Sequence, residues 1–474
     1  MKAQVVGLEN KNLGLTLRPG DHVHFVGVGG IGLSAIARIL LQLGYIVSGS
    51  DLQLSPITQD LVQLGATVYQ GHRGENIGGA KMVVVSSAVP RRNPELAKAR
   101  ERSVPVVKRG RILAWLMKDQ YGIAVAGTHG KTTTTALIAT ILENAGLDPS
   151  IIVGGIMPEL GTNAKAGKGQ HFVLEADEYD RVFLELSPQV AVITNIEMDH
   201  PDCFTDLGDM SDAFRRFLTQ VPEEGFVMAC GDDDQVRKVI EALGNRKVGT
   251  YGLKGDVDWR ALNLQGNALG GTDFHVVHSG ADKGRFELCI PGVHNVSNAV
   301  AAIGVSDHLG LDLAHVRDAL KHFQGVKRRF EVKGEAQGVA VVDDYAHHPS
   351  EIRATLAAAR ARYAGRRIWT VFQPHTYSRT KTLLTEFAKA FSDADQVIIT
   401  VIYAARETDD LGVGAKDLVE TMTHPRALHI AELSETVSWV GERLTSGDVL
   451  ITMGAGDVWR VGEEVLARLR QRRK

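Results

Sequence analysis

Cysteine is scarce in this 474-residue chain: Cys203, Cys230 and Cys289 lie far apart and form no C-x-x-C pair. That spacing indicates neither a disulfide framework nor a cysteine zinc site. Charge of one sign is lacking too. The net charge of −3 gives no reason to expect a nucleic-acid partner, although Lys327-Arg328-Arg329 and the Arg468 to Lys474 tail are locally basic. No apolar run approaches the length of a membrane span, and Met1 to Asn12 has no apolar h-region. No membrane insertion is therefore expected, and a reducing cytoplasm is the default location. No short-period repeat or low-complexity segment is present. What the chain does have is length for two to four domains, 44% hydrophobic residues to bury, and 50 glycines for turns.

The chain is organised around Ile123-Ala124-Val125-Ala126-Gly127-Thr128-His129-Gly130-Lys131-Thr132-Thr133. A β-branched run ends in a glycine turn, and helix-compatible residues follow to Asn144. This is the strand–loop–helix form of a phosphate-binding loop, shortened because Val125 stands where the full motif has glycine. Gly127 and Gly130 let backbone N–H groups turn inward, and the helix N-terminus adds partial positive charge. Lys131 would reach the outer phosphates and the Thr132 hydroxyl a magnesium ion. The competing reading is a glycine turn before an ordinary helix with Lys131 merely exposed. Gly-Lys-Thr at a strand-to-helix junction favours nucleotide binding.

Nearer the N-terminus, the strand Val23 to Val26 runs into Gly27-Val28-Gly29-Gly30-Ile31-Gly32 and a helix from Leu33 to Leu43. A second strand, Tyr45 to Gly49, delivers Asp51. This is the dinucleotide fingerprint, with an acid about twenty residues on. Alone it reads as NAD first, and an NAD-dependent oxidoreductase is the rival from another enzyme class. A UDP-sugar offers the same diphosphate and ribose to Gly29, Gly30, Ile31, Gly32 and Asp51. Strands Ala66 to Tyr69 and Met82 to Val85 end near His72 and Ser86, where ligand contacts collect in open parallel sheets. His72 reads equally well as a surface-loop histidine.

The pattern then repeats twice. It predicts three α/β domains: a Rossmann-like parallel sheet over 1–108, a central P-loop mononucleotide-binding domain with a small β-insertion over 109–326, and a Rossmann-like domain over 327–474. In the central one, Phe172 to Glu175 runs into Asp177-Glu178, and Val190 to Asn195 runs into Glu197-Met198-Asp199-His200. Acids at strand ends beside a phosphate loop suit magnesium, and Glu175 is the carboxylate candidate. His200 on composition alone is more often structural, since magnesium prefers oxygen. Val248 to Glu287 reads as antiparallel hairpins. Asn295 and Asn298 precede a helix predicted over Val300 to Leu309, where they would cap it or read an adenine edge. In the last domain, strands end at Asp343-Asp344-Tyr345-Ala346-His347-His348 and at Gln373-Pro374-His375-Thr376-Tyr377-Ser378-Arg379.

Together, G-T-H-G-K-T-T at 127–133, E-A-D-E at 175–178, N-I-E-M-D-H at 195–200, H-N-V-S-N at 294–298, R-R-F-E at 328–331 and D-D-Y-A-H-H-P at 343–349 resemble the Mur ligase family over essentially the whole chain. These are the ATP-dependent amide-forming enzymes of peptidoglycan precursor synthesis. The loop G-V-G-G-I-G-L-S at 27–34, F-Q-P-H-T-Y-S-R-T at 372–380 and the doubled His347-His348 resemble the alanine-adding members. The nearest alternative is the muropeptide-recycling type, which attaches a tripeptide. The resemblance implies ATP, UDP-N-acetylmuramate and L-alanine as substrates, magnesium or manganese as the metal, and a monomer or homodimer. It implies catalytic roles for Lys131, Glu175, His200, Arg329 and His348, with metal at Thr132, Glu175 and His200. It implies ATP contacts from Gly127 through Thr133 (Thr128 and His129 included) and from Asn295, Asn298 and Arg329. Asp344, His347, His348, His375 and Arg379 are the implied amino-acid contacts. Tyr179 stands where serine is common and Thr376 where arginine is common.

Overall fold

The structure, a computed structural model, describes residues 17–405, 407–408 and 411–471. Met1 to Asn12 and the last three residues of the basic tail lie outside the described residues. Two compact units succeed one another, the chain passing between them from Lys118 to Asp119.

In the first unit, β1 (His22–Val26), β2 (Ile46–Asp51), β3 (Thr67–Gln70), β4 (Met82–Val85) and β5 (Val106–Lys108) form a parallel sheet in the order β3-β2-β1-β4-β5. Val23, Phe25, Val26, Val83 and Val84 are all buried. Central strands covered on both faces need such near-continuous apolar runs. Lys108 ends β5. The following helix, Arg109–Met117, still belongs to this unit, with Trp115 edge-on to Tyr45 at 6.0 Å.

The second unit holds two sheets. The larger comprises β6 (Tyr121–Ala126), β7 (Ser150–Met157), β8 (Thr162–Lys165), β9 (His171–Glu175), β10 (Val190–Ile193), β11 (Phe226–Cys230), β12 (Lys247–Gly252), β13 (Trp259–Gly266), β14 (Thr272–His278) and β15 (Ala281–Leu288). Their order is β15-β14-β13-β12-β11-β10-β6-β9-β7-β8. The phosphate-loop strand β6 lies between β9 and β10, parallel to both. The acid-bearing ends of β9 and β10 therefore flank the loop. Two sequence expectations are corrected here. Within the stretch from Val248 to Glu287, β12 pairs in parallel with β11, and only β13–β15 form antiparallel hairpins. Two-residue alternation marks a half-buried strand but does not name its partner. The helix expected from Val300 begins at Val293 and runs to His308, with Asn295 and Asn298 inside its first turns. Burial of Val296 and of every residue from Asn298 to Ser306 outweighs the weak helix propensity of its start.

The smaller sheet has β16 (Glu331–Ala336), β17 (Val339–Asp344), β18 (Arg367–Phe372), β19 (Gln396–Ile399), β20 (Ala427–His429) and β21 (Asp448–Met453). Its order is β16-β17-β21-β18-β19-β20, parallel except for β16. Alternate residues of β17 serve opposite faces. Ala340 and Val342 pack with Ile352 and Leu356 of the helix Pro349–Arg362, whereas Val339 and Val341 pack with Val437, Val461 and Val465 from helices on the other side.

Candidate nucleotide and ligation site

In the first unit, the turn from β1 to the helix Ile31–Gln42 is braced by the fingerprint acid. Asp51 Oδ2 accepts the Gly29 N–H at 2.8 Å, and a Cβ on Gly29 would lie 2.9 Å from that oxygen. Arg109, absent from the sequence expectations, brings its guanidinium so close to Gly32 that a Cβ there would meet it at 2.6 Å. Behind the loop lies a buried polar network. Glu95, 0% exposed, accepts from Ser50 Oγ (2.7 Å) and Asn76 Nδ2 (2.8 Å) and pairs with His72 Nδ1 at 2.9 Å and His24 Nε2 at 3.4 Å. Burial raises the Glu95 pKa, but the nearby His24 ring and the hydrogen bonds from Ser50 and Asn76 outweigh it and hold the carboxyl below its ordinary value. His72 is thus a ring anchored from below. Ser86 follows β4, its Cβ 3.2 Å from where a Cβ on Gly27 would stand.

In the second unit, the phosphate loop fits a space that only glycine allows. Gly127 has φ +136° and a Cβ there would fall 1.9 Å from Thr194 Oγ1; Gly130, at φ +80°, caps the helix Lys131–Asn144 and faces Asn298 Oδ1. The end of β10 stitches the loop in place. Asn195 Oδ1 accepts the His129 N–H (2.8 Å), Thr194 Oγ1 donates to the His129 carbonyl (2.5 Å), and Thr128 Oγ1 accepts the Glu197 N–H (2.9 Å). Lys131 Nζ donates to the Gly127 and Thr128 carbonyls and meets the two oxygens of Glu178 at 3.0 and 2.9 Å. Burial lowers the Lys131 pKa, yet Glu178, Glu175 and Asp177 outweigh it and keep the ammonium charged.

Glu178, 1% exposed, has its carboxyl pushed up by burial. Its Oε1 lies 3.8 Å from His200 Nε2. Glu175 instead accepts the Gly154 N–H at 2.7 Å. His200 sits at φ +53°, with Tyr179 edge-on to its ring at 5.0 Å and the Tyr179 hydroxyl donating to Asp202.

The C-terminal sheet closes on this loop. His129 Nε2 lies 3.2 Å from Glu197 Oε2, and His129 Nδ1 lies 3.4 Å from Glu351 Oε1. Burial alone would lower the His129 pKa, but Glu197 and Glu351 raise it to about 9. Arg329 Nη1 approaches Glu351 at 3.5 Å, with its guanidinium over Tyr345. Arg328 turns away to Asp343 (2.9 Å) and the Gly454 carbonyl (2.7 Å). Asp344 accepts the Phe330 and Ala346 N–H groups at 2.7 Å each, and burial raises its pKa to about 6. Asp199 Oδ1 accepts from Arg379 Nε at 2.8 Å, and Arg379 Nη1 reaches His375 Nδ1 at 3.0 Å. His347 lies ring-to-ring with His375 at 5.8 Å and 3.3 Å from Glu351 Oε2. Burial lowers the pKa of His347 to about 4 and of His375 to about 3, so both rings are neutral at pH 7. Thr376 caps the short helix that carries Arg379, accepting the Arg379 N–H at 3.4 Å.

Between the two sheets is a cavity of about 390 Å³. Gly130, Thr132 and Thr133 line it together with Asn295, Asn298, Arg329 and Asp344. Asn298 Nδ2 donates to Asn295 Oδ1 (3.1 Å) and Asn295 Nδ2 to the Pro291 carbonyl (2.6 Å), so neither side chain caps the helix N-terminus. Asp233 and Tyr251 also face the cavity. They were not singled out in the sequence, where they lie at the ends of β11 and β12. Glu178, Glu197 and Glu351 were missed for a different reason. The first two stand inside E-A-D-E and N-I-E-M-D-H, beside Glu175 and His200, which the strand-end pattern favours. Glu351 carries the signature of a helix-capping box, a role it does fill by accepting the His347 and His348 N–H groups.

Three family models cover nearly all the described chain: "Mur ligase family, catalytic domain" over residues 22–121, "Mur ligase middle domain" over 125–306 and "Mur ligase, glutamate ligase domain" over 328–456. A UDP-N-acetylmuramate–L-alanine ligase of Geobacter sp. (strain M21) is 46% identical over 460 residues, covering 95% of this chain and 98% of that one. One from Solibacter usitatus is 47% identical over 454 residues, covering 95% and 96%. The crystal structure of the UDP-N-acetylmuramate–alanine ligase of Thermotoga maritima superimposes with a TM-score of 0.82 at 31% identity, covering 96% of this chain and all of that one.

Proposed function

The chain belongs to the Mur ligase family, and from that premise we propose that it joins L-alanine to the lactyl carboxylate of UDP-N-acetylmuramate, driven by ATP, in peptidoglycan precursor synthesis. It is an ATP-dependent, amide-bond-forming ligase. One observation carries the site assignment: the phosphate loop's Gly130 and Thr132 and the C-terminal Arg329 line the same cavity. A nucleotide on the loop would there present its terminal phosphate toward a fixed cation and an incoming carboxylate.

A carboxylate is a poor electrophile because oxide would have to leave. Attack of its oxygen on the γ-phosphorus, with ADP departing, gives an acyl phosphate; the amine then attacks the acyl carbon and phosphate departs. Lys131 and Arg329 offset the charge of two anions brought together. Asn295 and Asn298 would face the adenine end. The residues fit a hard divalent ion. Thr132 and Glu175 provide oxygen, His200 an imidazole, and Glu178, 3.8 Å from His200, a buried carboxylate. Magnesium, or manganese in its place, held by Thr132 and Glu175, with a second ion at His200, would supply further neutralisation of the transferring phosphoryl group. Arg379, fixed by Asp199 and His375, is oriented for the alanine carboxylate. His348 is neutral at pH 7, its pKa lowered by burial and by His129, and can accept the proton the amine sheds. Asp344 and His347 complete the amino-acid pocket. In the first unit, Gly29 to Gly32 would take the UDP diphosphate at a helix N-terminus, with Asp51, His72 and Ser86 on the nucleoside and sugar. The use of ATP supports a cytoplasmic setting.

The test is phosphate release with UDP-N-acetylmuramate and ATP against single amino acids and the tripeptide L-alanyl-γ-D-glutamyl-meso-diaminopimelate. L-alanine should give the highest kcat/KM. Preference for the tripeptide would assign the chain to the recycling reaction instead.

A further inference from the structure

We propose that His129, His348 and Glu197 form a binding site for a zinc-class transition-metal ion that ties the phosphate-loop sheet to the C-terminal sheet. This goes beyond the ligation reaction, which calls for no such ion there, and it shares no ligand with Thr132, Glu175 and His200. One ring nitrogen of each histidine and one Glu197 oxygen all lie within 4.8 Å of one another. The His129 Nε2 to Glu197 Oε2 separation of 3.2 Å is close to the edge, about 3.3 Å, of a tetrahedron around an ion ~2.0–2.1 Å from each donor. His348 Nδ1, 3.9 Å from the same oxygen, accepts the Ser350 N–H at 3.3 Å and so leaves Nε2 as the ring nitrogen for an ion, and the two imidazoles are 4.6 Å apart at their centroids.

The surrounding groups already hold these donors. Glu351 Oε1 faces the far nitrogen of His129 at 3.4 Å, the carboxylate–histidine arrangement that orients metal-bound imidazoles. Ser350 Oγ donates to Glu197 Oε1 at 2.6 Å and leaves Oε2 turned to His129. His348 is 2% exposed, and its Nε2 has no hydrogen-bond partner. A buried polar nitrogen without a partner is costly, and ligation through Nε2 would remove that deficit. Two imidazoles and one carboxylate select zinc, cobalt(II) or nickel(II) over magnesium, which keeps to oxygen. His129 and Glu197 come from the loop and the end of β10, His348 from the turn after β17. An ion here therefore pins the two sheets together and competes with the phosphate loop's own use of His129 and with His348 as the proton acceptor of the ligation.

The experiment uses the full, nucleotide-free chain stripped of metal, with cobalt(II) as the spectroscopic probe and zinc in calorimetry. The expected result is one tight site per chain with visible d–d bands. Glu197→Gln and His348→Gln should each weaken it by about 10²-fold. Ser350→Ala, which removes one hydroxyl and keeps the fold, should weaken it ~10-fold. His200→Gln should leave it in place. The proposal is overturned if the wild type binds no cobalt, if the bands persist in the Glu197 and His348 variants, or if His200→Gln abolishes them. Thiolate-to-metal charge-transfer bands, which would place the ion on cysteine, overturn it too.

Discussion

Replacing Asp199 by asparagine isolates the C-terminal half of the site. The carboxylate and the Arg379 guanidinium are each 4% exposed in their side chains and meet at 2.8 Å. Burial raises the Asp199 pKa, but Arg379 and His200 outweigh it and hold the carboxyl well below its ordinary range. Asparagine keeps an acceptor oxygen at that place and removes the charge, leaving Arg379 with neutral His375 as its other partner. Truncating one member of a buried ion pair costs about 3–5 kcal/mol. The retained acceptor makes the loss smaller, about 1.5–3 kcal/mol, the range of a hydrogen bond to a charged group. If Arg379 holds the alanine carboxylate, that loss appears as a ~10- to 150-fold rise in the L-alanine KM, at 1.4 kcal/mol per decade. Phosphate release is measured across L-alanine concentrations with ATP and UDP-N-acetylmuramate saturating, and again across ATP. The ATP KM should move less than about threefold, because Asp199 acts there only through its neighbour His200. An unchanged L-alanine KM, or an ATP KM that rises equally, refutes the assignment of Arg379 to the amino acid.

Lys131→Ala should lower amide formation by at least ~10²–10³-fold, while calorimetry shows UDP-N-acetylmuramate binding little altered; near-normal turnover would remove Lys131 from the chemistry. The raised His129 pKa sets a pH dependence of stability. Its ion pairs contribute fully below 6.5, and that contribution is lost as pH rises through about 9. The melting temperature of the nucleotide-free protein should therefore decline across that window, and His129→Asn should flatten the decline; parallel curves for the two proteins would exclude it. Glu95→Gln removes the anion beneath His72 and should raise the UDP-N-acetylmuramate KM ~10-fold, with the L-alanine KM as an internal control. A rise in both would mark Glu95 as a general stability residue.

Much of the architecture was legible because the signals are local. Gly127 and Gly130 are required by the turn they make, and a β-branched run before them and a helix after them fall within one stretch of chain. The same holds for the glycine loop after β1 and for strands such as Met82–Val85, whose apolar run reports burial on both faces. Legibility failed where a pattern had two meanings. The alternation around Val248 fits a parallel strand as well as a hairpin. The helix from Val293 starts with residues of poor propensity and is held by the packing of Val296 and its neighbours. The basic pair was ambiguous in the same way: Arg328 and Arg329 are adjacent, yet Arg328 is tied to Asp343 while Arg329 faces the cavity.

From the chain alone came the three sheets with their loops, the nucleotide chemistry of Gly-Lys-Thr and the family to which the motifs point. These depend on residues within a turn or a strand of one another, where covalent geometry limits the choices. Tertiary structure alone decided which acid answers which cation. Arg379 finds Asp199 across 180 positions, and Ser350 finds Glu197 across 153. Lys131 takes Glu178 although Glu175 stands at the strand end. Such pairings follow from how two sheets pack, and the energy of a buried charge depends steeply on distances that no local pattern encodes.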